Sequence, residues 1–149
     1  MANENLKKEL ISMLNEALKL EHAARIQYLS HAELIKGINA EPIVARLKEI
    51  AGDEEKHEAK FRNMIGSYLG GVPTMDLAAT HAANGTDAIL KINVKGEKEA
   101  LDFYKKIYQK ICDHKADLPY VFETMEHELR HIILDEQEHV VELELLLGV

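Results

Sequence analysis

IAGDEEKHEAKF at residues 50–61 and IILDEQEHVVEL at residues 132–143 decide how this chain folds. Both stretches have a helical period. Ile50, Glu54, His57 and Phe61 recur at steps of four and three, and so do Ile132, Glu136, His139 and Leu143. A carboxylate and an imidazole therefore occupy positions that the apolar pattern assigns to a buried face. Both stretches also share Asp-Glu-x-x-His, as Asp53, Glu54, His57 and as Asp135, Glu136, His139.

Working outward, periodicity predicts four helices. The first runs over about residues 5–36, with Leu10, Leu14, Ala17, Ala24, Tyr28, His31 and Ile35 on one stripe. Gly37 to Pro42 breaks the period, and Pro42 suits the first position of the next helix. That second helix spans about 42–69 and stops at Gly70-Gly71-Val72-Pro73. The interrupted stretch up to Thr86 is too long for a tight turn, so it reads as a crossover along the molecule. Helix three covers about 86–114, with Leu90, Ala100, Tyr104, Ile107 and Ile111 on its stripe. Helix four opens near Leu118-Pro119 and covers about 119–147, with Phe122, Met125, Leu129, Ile132, Leu143 and Leu146 on its stripe. The expected fold is all-α, a single domain over 1–149. It is an antiparallel four-helix bundle with one long crossover between helices two and three.

The other two helices each carry one misplaced carboxylate. Glu21 falls between Ala17 and Ala24, and Glu97 between Leu90 and Ala100; both begin a shared Glu-x-x-Ala-x-x-x-Tyr that ends on Tyr28 and Tyr104. Glu99 is the alternative to Glu97, but it is out of phase with Ala100 and Tyr104. Four unpaired carboxylates in one core would each cost several kcal/mol or take up a proton. No lysine or arginine recurs on those stripes, so two metal ions are the simplest compensation. Carboxylate oxygens with two imidazoles suit iron or manganese, and Glu-x-x-His places both donors on one helical face. The candidate ligands are Glu21, Glu54, His57, Glu97, Glu136 and His139. The single glutamates would be terminal ligands and the motif glutamates bridges. Tyr28 and Tyr104 are candidates for hydrogen bonding or redox work beside them, and Asp53 and Asp135 for orienting the histidines. His127, His131 and Asp135, at steps of four, offer a further metal site off the main stripe. His22, His31, His81 and His114 read as solvent-exposed.

Composition narrows the classes of function. A formal charge of -8 without a basic run argues against a nucleic-acid partner. No apolar run reaches membrane-spanning length, and residues 1–16 lack a signal-peptide core, which predicts a cytoplasmic protein. One cysteine, Cys112, excludes a four-cysteine iron site within the chain.

The ordered set of six donors on four helices resembles the rubrerythrin and bacterioferritin branch of the ferritin-like superfamily, over almost the whole chain. The resemblance implies that Glu21, Glu54, His57, Glu97, Glu136 and His139 bind two iron ions and activate dioxygen or peroxide, with electrons from an unidentified donor. It departs from the family in two places. Bacterioferritins carry a haem-ligating methionine directly after the second-helix glutamate, where this chain has Glu55, so haem is not expected. Rubrerythrins add a cysteine-ligated iron domain that has no counterpart here. The expected function is that of an oxidoreductase acting on ferrous iron, dioxygen or peroxide. The alternatives are iron storage, a di-manganese catalase and a carboxylate-bridged hydroxylase. Helix four ends at Gly148-Val149 without a further short helix, which favours a homodimer over a cage.

Overall fold

A computed structural model describes residues 2–149. Four long helices form the bundle: α1 (Ala2–Ala32), α2 (Ala40–Asn63), α3 (Thr86–Asp113) and α4 (Phe122–Leu147). A π-helical turn, Met64–Tyr68, extends α2, and a short 3-10 turn, Lys115–Asp117, precedes α4. α1 packs chiefly on α2 and α3 on α4, while α1 meets α3 and α2 meets α4 across the bundle.

The crossover is strapped to α1. Asn15 donates to the Val72 carbonyl and accepts from the Thr74 amide. Farther along, the Ala78 amide donates to the Lys19 carbonyl, and the His81 amide to Gln27 Oε1. The segment thus climbs α1 from Asn15 toward His31, so α3 starts at the top of α1 and descends beside it. Every lateral neighbour in the bundle is therefore antiparallel. At Gly71 the chain passes close to α1: a Cβ there would lie 2.8 Å from Ile11 Cγ2.

Both ends of α3 and the close of α4 fall within a residue of where periodicity puts them, while other helix ends depart by a few residues. α1 stops at Ala32, before Lys36, because residues 33–34 form a turn through Glu33 N to Ser30 O and Leu34 N to His31 O. Ile35 stays buried just beyond that turn, so the apolar stripe outlasts the helix. Pro42 is the third residue of α2 rather than the first, still inside the turn where a missing N–H costs nothing. Pro119 lies outside α4. Leu118 is buried and its carbonyl accepts from Val121 and Phe122, which delays the helix to Phe122.

The apolar interior is divided in two. One block gathers Leu10, Leu14, Phe61, Met64, Ile107, Met125 and Leu129; the other gathers Tyr28, Leu47, Ile50, Ile89, Leu90 and Leu143. Between them lies a layer of buried polar side chains.

Candidate metal centre

All six candidate donors lie in that layer. Glu21, Glu54, His57, Glu97, Glu136 and His139 are each no more than 3% exposed. Helical phase puts them there: α2 and α4 each present Glu and His three residues apart on the face that Ile50 and Phe61, or Ile132 and Leu143, bury. Glu99 is exposed, so α3 contributes Glu97.

Two overlapping groups of converging donor atoms result. One comprises Glu21, Glu54, His57 and Glu136; the other comprises Glu54, Glu97, Glu136 and His139, with all donor atoms of a group within 4.8 Å of one another. Glu54 and Glu136 belong to both. His57 Nδ1 lies 3.5 Å from Glu21 and Glu54 and 2.9 Å from Glu136. His139 Nδ1 lies 3.3 Å from Glu54, 3.7 Å from Glu97 and 3.8 Å from Glu136.

The surroundings fix these side chains from outside. His57 Nε2 meets Asp135 Oδ2 at 2.9 Å, and His139 Nε2 meets Asp53 Oδ2 at 2.9 Å. Each aspartate therefore serves the histidine of the opposite hairpin. With Nε2–H donating outward, each Nδ1 lone pair is turned into the cluster. The tyrosines cross in the same way. Tyr28 donates to Glu97 at 2.6 Å and Tyr104 to Glu21 at 2.8 Å, each phenol reaching the single glutamate of the other half.

The chemistry of this layer calls for cations. Among the described residues, the buried side-chain nitrogen and oxygen atoms that lack a hydrogen-bond partner are Glu21 Oε2, Glu54 Oε1, His57 Nδ1, Glu97 Oε2, both Glu136 oxygens and His139 Nδ1. All belong to the six residues, and His57 Nδ1 approaches Glu136 without the alignment of a hydrogen bond. Orphaned donors of this kind are costly in a protein interior, and a metal ion satisfies several at once. With protons as the only cations to bind, desolvation and then the Glu136 charge push Glu21 up to about 7. Desolvation and then Glu21 push Glu54 up to about 8; desolvation and then Glu136 do the same for Glu97. Burial works against charge on both histidines, but the carboxylates around them outweigh it and hold the imidazoles well above their ordinary range. Tyr28 and Tyr104 are also raised, first by burial and then by Glu97 and Glu21 respectively, so both phenols keep their protons.

A cavity of about 260 Å³ reaches the layer between α1 and α3, lined in part by Ala24, Tyr28, Glu54, Glu97, Ala100 and Glu136. Its mouth carries a polar network that the sequence reading missed. His31 is buried, correcting the expectation of exposure: its ring meets the His81 carbonyl at 2.9 Å and Asn93 at 3.0 Å, while Gln27 donates to Asn93. Glu58 was missed as well. It is buried against Arg25, with His22 at 3.5 Å and Arg62 at 3.6 Å, outside the cluster of six. Its only signal in the sequence is Arg62 at the i, i+4 spacing.

A family model described as a ferritin-like domain matches residues 11–149. The bacterioferritin of Brucella melitensis biotype 1 is 29% identical over 136 residues, covering 91% of this chain and 81% of that protein. The bacterial ferritin of Neisseria meningitidis serogroup B is 31% identical over 108 residues, covering 72% of this chain and 69% of the relative. Among solved structures, one from Bacillus anthracis str. Ames, described as ferritin like, diiron-carboxylate proteins, superposes with a TM-score of 0.87. It has 27% identity, over 95% of this chain and 97% of the other. With its four-helix bundle, its layer of glutamates and histidines and a match over residues 11–149, this chain belongs to the ferritin-like family and is related to the bacterioferritins.

Proposed function

We propose that this chain is a di-iron carboxylate oxidoreductase that oxidises ferrous iron with dioxygen or peroxide. The observation that carries the reading is the sharing of Glu54 and Glu136 between the two donor groups. Glu21 and His57 would hold one ion, Glu97 and His139 the other, and the two shared glutamates would span both. Two iron ions so held supply two electrons in one site, which matches the demand of a dioxygen or peroxide unit.

The protein's own residues prepare the site. Asp135 and Asp53 keep a proton on the outward nitrogen of His57 and His139, so the inward nitrogens are free to donate. Tyr28 and Tyr104 hold Glu97 and Glu21 in place through one oxygen each and leave the second oxygen for an ion. Ala24 and Ala100 keep the cavity wall low enough for a small oxidant to enter. The similarity to a structure described as diiron-carboxylate supports iron; manganese satisfies the same donor set.

Anaerobic titration with ferrous iron is expected to saturate at two ions per chain, and with both Glu54→Ala and Glu136→Ala this binding is lost. Mixing the loaded protein with oxygen or peroxide is then expected to consume the oxidant and change the absorbance. If a fully loaded protein consumes neither, the oxidoreductase reading is wrong. Metal analysis of protein purified without added metal decides between iron and manganese.

A further inference from the structure

The outer side of α4 carries two histidines that the centre does not use. His127 and His131 stand one helical turn apart, with ring centroids 4.3 Å from each other and planes inclined by 41°. His127 is 56% exposed and His131 is half-buried. A carboxylate adjoins His127: Glu128 Oε1 is 3.5 Å from His127 Nδ1, and Lys60 Nζ, 3.3 Å from Glu128 Oε2, holds that side chain on the α2 side of the helix. One further turn on, Asp135 is 45% exposed and takes the hydrogen bond of His57. Donor groups thus run from solvent to the buried layer in the order His127, His131, Asp135, His57.

Two imidazoles at this spacing can close on a single ion, and the helix has already fixed their separation, so chelation orders little that was free. We propose that His127 and His131 form a surface site for a divalent transition-metal ion, and that ferrous iron caught there is passed inward by way of Asp135. The site itself stands on its own geometry. The delivery step rests on the di-iron reading above.

Zinc is the probe for the site. In equilibrium dialysis the wild-type chain is expected to bind one zinc ion more than His127→Ala/His131→Ala, with each single variant weakening that ion at least tenfold. Circular dichroism melts establish that the variants fold. Equal zinc stoichiometry and affinity in wild type and double variant would overturn the site. For delivery, the double variant is expected to oxidise ferrous iron at least threefold more slowly below saturation and at the wild-type rate at saturating iron. Equal rates at every iron concentration would overturn delivery. If neither protein oxidises iron, the oxidoreductase reading fails and delivery with it, while the zinc count still decides the site.

Discussion

The six donors differ from ordinary helical glutamates and histidines in what stands behind them. His57 and Asp135 illustrate this: the hydrogen bond from the imidazole is the main reason the aspartate is held below its usual range, and in return the aspartate fixes the ring. Asp135→Ala is expected to weaken the ion beside His57 by about 10–100-fold, and Asp53→Ala to do the same to the ion beside His139. Competition with a coloured chelator measures both; unchanged affinity in either variant would show that the aspartate does not orient its histidine. Tyr28→Phe strips a donor from buried Glu97 and should cost the metal-free protein about 1–3 kcal/mol in urea unfolding. At this scale the candidate donors were legible because each interrupts an apolar stripe on its own helix. His31 and Glu58 were not. Their partners are remote in sequence, namely Asn93, the His81 carbonyl and Arg25, and no local pattern announces such pairings, although His31 does fall on the apolar stripe of helix one.

Helix existence was legible, and so were both ends of α3 and the close of α4; the close of α1 and the opening of α4 were not. Period and breakers locate all four elements, but a buried residue can lie outside a helix as well as in one, as Ile35 and Leu118 do. The long link between α2 and α3 was legible as a crossover from its length. Its course along α1 was not, since it depends on Asn15 and Gln27 meeting backbone groups more than fifty positions away. At Gly71 that course leaves little room for a side chain. Gly71→Ala would press its new methyl against Ile11 and is expected to destabilise the fold by about 1–3 kcal/mol. Adding Ile11→Ala should recover part of the loss; a single Gly71→Ala variant as stable as wild type in chemical denaturation would show that the crossover can lift without cost.

At the level of the whole molecule, the polar layer makes stability depend on what cations are present. Glu21, Glu54 and Glu97 are raised from an ordinary 4.5 to about 7, 8 and 8, so the folded, metal-free chain holds protons that the unfolded chain has released. The stability they contribute is fully present below 4.5 and is lost as pH climbs through 7 to 8. Raised histidines act in the same direction. Thermal melts of metal-free protein should therefore fall between pH 5.5 and 8, and added metal, which displaces the protons, should restore more at pH 8 than at pH 5.5. A metal-free melting temperature that climbs over this interval would contradict the assignment. The crossing of partners between the halves ties the two hairpins into one cooperative unit. Each hairpin brings one lone glutamate and one Asp-Glu-x-x-His, yet its aspartate and its tyrosine serve donors on the other hairpin. Neither hairpin alone can hold its donors in place, so local opening of one half is expected to release the ligands of the other as well.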